Sequence, residues 1–97
     1  MALRLAVFLE ALPGKREEMV AAYAKRCPRV RQEPGCLEFE LYQNIENPDR
    51  FTLLERWVDA DALAAHGARP ADPEAEDVQT LRRHLGGERY EVEATGR

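Results

Sequence analysis

Leu3, Leu5, Val7 and Leu9 alternate with Arg4, Ala6, Phe8 and Glu10, so residues 3–10 read as a strand whose second face is also partly apolar. Pro13-Gly14 is a turn. The period then lengthens. Met19, Ala22, Tyr23 and Cys27 share one side of a helix starting near Lys15, and Glu17 and Glu18 suit the positive end of its dipole. Pro28 cannot donate to the carbonyl four residues back, so this helix should kink or end there, with Val30 extending the apolar stripe beyond. Glu33-Pro34-Gly35 is a second turn. Alternation returns over 36–45, with Leu37, Phe39 and Leu41 on one face and Glu38, Glu40 and Tyr42 on the other. Residues 46–50 form a compact turn and predict a hairpin. A symmetric turn sets Ile45 opposite Phe51, Leu41 opposite Glu55, Phe39 opposite Trp57, and Glu40 opposite Arg56 as a cross-strand ion pair.

The next segment carries the most chemistry. Phe51, Leu53, Glu55 and Trp57 share one face of a strand that runs directly into a short helix. Asp59 is its N-cap, Leu63 and His66 lie one turn apart, and Gly67 suits the C′ position. Residues 68–72 read as a loop. Asp72-Pro73 predicts a second helix start, with Val78, Leu81 and Leu85 as its stripe and Gly86-Gly87 as its end. Tyr90, Val92 and Ala94 alternate in a last strand. The order is the split βαβ plan of an α+β, ferredoxin-like βαββαβ domain, a four-stranded antiparallel sheet with helices on one face. The other face carries Phe8, Tyr42, Leu54 and Val58 and needs a cover; a second copy of the chain, in a homodimer, is the simplest.

At 97 residues the chain is expected to be one domain, 1–97, with a thin core that association would help. A net charge of −4 argues against nucleic acid as a partner, and Glu17, Glu18 and Glu33 dilute the basic cluster between Lys15 and Arg31. No apolar run approaches a membrane span, and 1–10 alternates like a strand rather than forming a leader's apolar core. Cys27 and Cys36 are too few for a disulfide framework and lack metal-ligand spacing. A cytoplasmic location with reduced thiols is the expectation. There is no phosphate loop, dinucleotide glycine pattern or zinc spacing, so neither a tightly bound nucleotide nor a structural metal is expected.

Glu55 is the oddity. A carboxylate on a core-facing side must be paired, protonated or used. One reading makes it a general base, since desolvation raises a carboxylate's proton affinity. The other makes it the partner of a helix cation or a helix N-terminus. Trp57 either stacks on a flat aromatic ligand or packs as a core residue. His66, at a helix C-terminus, either meets a substrate oxygen or caps carbonyl groups. Tyr23, Phe39 and Leu41 sit where they could line the same space, although packing explains them too. Cys36 has no base nearby in sequence, and His84 reads as a solvated helix end.

The chain resembles the antibiotic-biosynthesis monooxygenase family of small dimeric α/β barrels. The resemblance rests on Pro13-Gly14-Lys15, Glu33-Pro34-Gly35-Cys36, the stretch from Phe39 to Tyr42, Asn47-Pro48, Arg50-Phe51, Glu55-Arg56-Trp57 and Ala65-His66, in that order and spacing. It implies a dimeric barrel with a pocket between sheet and helices. It also implies oxidation of a small phenol- or quinol-type aromatic by molecular oxygen without metal or flavin. His66 and Glu55 would then be the catalytic residues, and Trp57, Phe39, Leu41 and Tyr23 the substrate-binding ones. Other members degrade haem or isomerise small signalling molecules, and because fold does not fix function a non-catalytic dimeric binding or stress-response protein, or a small-metabolite isomerase, is the alternative. Haem-degrading members pair a Trp and a His with an Asn on the first strand; residues 3–11 contain no Asn, which argues against that activity.

Overall fold

The structure, a computed structural model, describes residues 1–73, 75 and 77–93. Strand β1 (Ala2–Ala11) is followed by helix α1 (Arg16–Val30), strands β2 (Cys36–Gln43) and β3 (Arg50–Trp57), helix α2 (Ala60–Gly67), a 3₁₀ turn (Val78–Thr80) and strand β4 (Arg82–Val92). The strands form one antiparallel sheet in the order β2-β3-β1-β4, the ferredoxin-like arrangement. Leu9, Met19, Tyr23, Val30, Phe39 and Trp57 are the fully buried centre of the core between sheet and helices. The alternation read along β1 and β3 is the one that packs: Leu3 faces Trp57, Leu5 faces Glu55, Val7 faces Leu53 and Leu9 faces Phe51.

The hairpin register differs from the symmetric expectation by two residues. Phe39 faces Glu55, Leu41 faces Leu53, and Gln43 faces Phe51. Asn44 is the reason. Its side-chain oxygen accepts from the backbone N–H groups of Glu46 and Asn47, both at 2.8 Å, and its own N–H reaches Arg50 at 2.9 Å. That seals a longer loop and leaves Ile45 in solvent, 99% exposed, rather than opposite Phe51. A shift of two keeps every side chain on its expected face. Glu40 and Arg56 are not opposite each other as the symmetric turn required. Glu40 lies opposite Leu54 and pairs with Arg31 at 3.3 Å, and Glu38 takes the place opposite Arg56.

Three other expectations are corrected. Helix α1 runs through Pro28 to Val30, because an exposed proline in the last turn removes a bond where the helix is about to end. Gly67 is the final helical residue of α2, and Ala68 caps it in a right-handed conformation. The largest correction concerns the helix predicted from Asp72 to Leu85. No helix starts at Asp72; Glu74 and Glu76 lie outside the described residues, as does Ala94 at the expected end of the last strand. Val78 and Leu81 are buried as the stripe required, but residues 82–84 already pair with Leu9, Glu10 and Ala11 of β1. The open edge of a ten-residue strand needs a partner along its length, and that demand outweighs a local helix start. The β4 register slips between Phe8, which faces Gly86 (φ +137°), and Leu9, which faces His84, so Leu85 is the extra residue of a bulge; Gly87 pairs with Val7, and a Cβ on it would come 2.7 Å from the Ala6 carbonyl oxygen.

One turn fixes the position of the site. Gly35 has φ +82°, and a Cβ there would lie 2.5 Å from the Ala62 Cβ and 2.9 Å from a Val58 methyl. Helix α2 therefore rests directly on the α1–β2 turn, and the Val58 N–H closes the contact on the Gly35 carbonyl at 2.8 Å.

Candidate active site

Strand β3 delivers Glu55 and Trp57 to the core face, and α2 brings His66 over them. Trp57 is fully buried and Glu55 is 7% exposed. The indole Nε1–H donates to Glu55 Oε1 at 3.0 Å. The buried acid is thus held neither by a helix cation nor by a helix end, the two partners weighed from sequence, but by its neighbour two residues along the same strand face. The His66 ring tilts over Trp57, with centroids 4.8 Å apart at 31°, and presents an edge contact to Phe39 at 5.8 Å. His66 Nδ1 lies 2.8 Å from Glu33 Oε1, and Arg69 Nε reaches that same oxygen at 3.1 Å. Asp59 caps α2 by accepting from the Ala62 N–H at 2.8 Å, which fixes the start of the short helix that carries His66 at its other end.

These groups, Trp57 apart, border a cavity of about 870 Å³ between α1, residues 69–72 and 77–79, and the sheet. Glu55, His66, Phe39 and Tyr23 are among its walls; Trp57 and Leu41 are not. Trp57, fully buried, backs Glu55 and His66 from the core and stands behind the wall rather than in it. Leu41 opens instead on a second, smaller groove between α1 and the outer strands. Its neighbour two residues back, Phe39, takes the place at the cavity, because the hairpin register sets Phe39 and not Leu41 beside Glu55.

Tyr23 is buried, and its phenol is pushed above its ordinary range, chiefly by burial, so it stays a neutral hydroxyl. Arg82 donates to its oxygen at 2.7 Å, leaving the phenolic hydrogen to donate elsewhere. Arg26 lies 5.8 Å from the Phe39 ring centroid. Other charges around the cavity are matched: Arg29 with Asp72 at 3.4 Å and Arg69 with Glu33, while Asp77 caps the 3₁₀ turn. Arg26 and Arg82 have only neutral partners shown among the described residues. Among those residues, no three His, Cys, Asp or Glu side chains converge as metal ligands.

Glu33, Arg26 and Arg82 were missed by sequence reasoning. Glu33 reads as a turn former 33 residues from His66, and Arg82 as part of a helix. The available signal for Glu33 was the Pro34-Gly35 turn, which returns the chain to the Trp57 end of β3. Cys36 is half-buried with its thiol pushed up to about 11, chiefly by burial and then by the Glu33 carboxylate, so it is no nucleophile. No helix among the described residues is long and apolar enough to cross a membrane.

Comparison with known proteins bears on the family and the fold. The chain is 27% identical over 62 residues to "Putative monooxygenase YcnE" of Bacillus subtilis, covering 64% of this chain and 65% of that protein. It is 26% identical over 82 residues to a mycobilin-producing heme oxygenase of Mycobacterium tuberculosis, covering 75% of this chain and 78% of that one. The chain spans less than two thirds of the length of the first curated relatives it matches. Among solved structures it superposes on SnoaB, a cofactor-independent oxygenase from Streptomyces nogalater, with TM-score 0.80 at 16% identity, over 94% of this chain and 92% of that one; at that identity the likeness is one of fold. The family model for antibiotic biosynthesis monooxygenase matches residues 2–78. A ferredoxin-like sheet with a buried acid, indole and imidazole beside one cavity is therefore the form taken here by a member of the antibiotic biosynthesis monooxygenase family.

Proposed function

We propose that the chain is a cofactor-independent monooxygenase that oxidises a small, electron-rich phenol- or quinol-type ring with molecular oxygen. The observation that carries this reading is the imidazole of His66 at the cavity wall, anchored through Nδ1 and braced on Trp57, with the buried Glu55 carboxylate in the same wall. A base there takes the ring hydroxyl proton. The resulting anion passes one electron to oxygen, and the substrate radical and superoxide combine to form a carbon–oxygen bond. The peroxide takes back a proton; on a ring carbon that still bears hydrogen it loses water and leaves a carbonyl. One oxygen atom enters the product and the other leaves as water. Arg26, Arg82 and the Tyr23 hydroxyl would stabilise the anionic species by charge and hydrogen bonding.

Haem degradation is the weaker reading despite the heme oxygenase relative. The β1 residue that faces the cavity is Val7, which cannot supply the amide that the resemblance associates with that activity. The proposal includes a homodimer. Phe8 and Leu54 lie on the sheet face away from the helices, with Tyr42 and Tyr90, each about half exposed, beside them. A second copy buries these residues without entering the cavity. Oxygen-electrode assays with hydroquinone- and anthrone-type compounds test the activity. Turnover lost in His66→Ala or Glu55→Gln supports it, and unchanged turnover in both removes these residues from the chemistry. Sedimentation tests assembly: a mass near twice 11.1 kDa supports the dimer, and 11.1 kDa refutes it.

A further inference from the structure

We propose that Glu33 is a positioning residue that holds His66 with its proton on Nδ1, so that Nε2 carries the lone pair available to the cavity. The inference rests on the reading of His66 as the base. His66 Nδ1 and Glu33 Oε1 are 2.8 Å apart, and the two side chains are only 16% and 14% exposed. An ionised carboxylate can only accept, so the proton of this bond belongs to Nδ1. A neutral imidazole without such a partner prefers its proton on Nε2. It would then offer a substrate hydroxyl a hydrogen rather than a lone pair.

The surroundings leave the ring one orientation. Trp57 covers a face at 4.8 Å and Phe39 meets it at 5.8 Å, so a ring flip would set a C–H against the carboxylate. Arg69 grips the same Glu33 oxygen at 3.1 Å and fixes it from the far side. Backbone packing sets the span, because Gly35 seats the turn that bears Glu33 directly on α2, the helix that bears His66. No partner of Nε2 is shown among the described residues. This geometry makes Glu33 act through His66, as a carboxylate orients a histidine in other acid–base and metal sites.

The test reads the tautomer directly. Two-bond ¹⁵N–¹H correlation spectra of the ¹⁵N-labelled protein at pH 8, with His84→Gln used to assign the second histidine, should show His66 protonated on Nδ1. Glu33→Ala should move the proton mainly to Nε2 and lower oxygen consumption about ten- to a hundredfold. Glu33→Gln, whose amide oxygen can still accept, should recover part of both. A wild-type His66 protonated on Nε2, or an unchanged pattern in Glu33→Ala, would overturn the proposal. The wild-type spectrum decides the matter even where Glu33→Ala does not fold. If the tautomer moves while turnover is untouched in Glu33→Ala and in His66→Ala alike, the positioning stands and the assignment of His66 as base fails.

Discussion

Two hollows lie on either side of Tyr23, and they differ in kind. The larger one has a wall in which three titratable side chains are each tied through one atom: Glu55 to the indole, His66 to Glu33, and Tyr23 to Arg82. The smaller groove, about 380 Å³, runs along Val20, Ala24, Cys27, Pro28, Leu41 and Phe51. Its charged groups spend themselves on each other, since Arg31 pairs with Glu40 and also donates to the Phe39 carbonyl at 2.9 Å. Cys27, the titratable group left, has its thiol pushed up by burial. Concavity alone therefore does not mark the site. What marks it is a set of half-satisfied polar groups beside a space that a ligand can enter.

The comparison breaks first at His66. His66→Ala should reduce turnover about 10²- to 10⁴-fold, the usual worth of a positioned base, while Val20→Ala in the groove should leave the rate within about twofold. Equal effects in oxygen-uptake assays would erase the distinction between the hollows. Cys36, beside the Glu33 turn, sharpens it next. Its thiolate is disfavoured first by burial and then by Glu33, so the group stays protonated from its ordinary 9.0 up to about 11. Alkylation by iodoacetamide at pH 8 should be roughly a hundredfold slower than for a free thiol, and should climb as pH rises toward 11. The unfolded thiol ionises at lower pH than the folded one, so the contribution to stability is whole below pH 9 and lost as pH rises to about 11. Rapid alkylation at pH 8 would show that the Glu33 side of the site is wet.

Glu55→Gln should cost about ten- to a hundredfold in turnover, with little change in unfolding, because the amide can still accept from the indole. Glu55→Leu should additionally destabilise by about 1–3 kcal/mol in denaturant titrations, since it buries the Trp57 N–H without an acceptor. Wild-type stability in that variant would show that the indole–carboxylate bond adds nothing. Arg82→Gln gives the smallest effect, a rise in KM of about five- to tenfold for substrates that ionise on binding, with kcat less affected. A variant with unaltered KM would remove Arg82 from the binding face.

Local periodicity made most of the fold legible. Alternation in β1 and β3 and the stripe of Met19, Tyr23 and Cys27 name core residues, among which Leu9, Phe51, Leu53, Trp57, Met19, Tyr23 and Cys27 are buried and Leu5 and Val7 partly so. The fourth strand was hidden because its sequence satisfies a helix: Val78 and Leu81 sit at helical spacing behind Asp-Pro. Only the unpaired edge of β1, a property of the assembled sheet, decides against it. The site was half legible for the same reason. Glu55, Trp57 and His66 lie within twelve residues and one local motif, whereas Glu33, Arg26 and Arg82 join them through turns and registers that no local pattern encodes. Two residues sit elsewhere for reasons of packing: Leu41 lies off the cavity because Phe39 takes its place in the sheet, and Trp57 lies behind the histidine it supports.

The stack of indole on imidazole has a practical consequence. The chain has one tryptophan, and it rests against the ring that meets the cavity. Its emission is therefore an intrinsic optical probe of that histidine: a molecule entering the cavity, or a proton arriving on the imidazole, alters the quenching of a single fluorophore. Ligand libraries can be screened by titrating that signal on unlabelled protein before any reaction has been assigned.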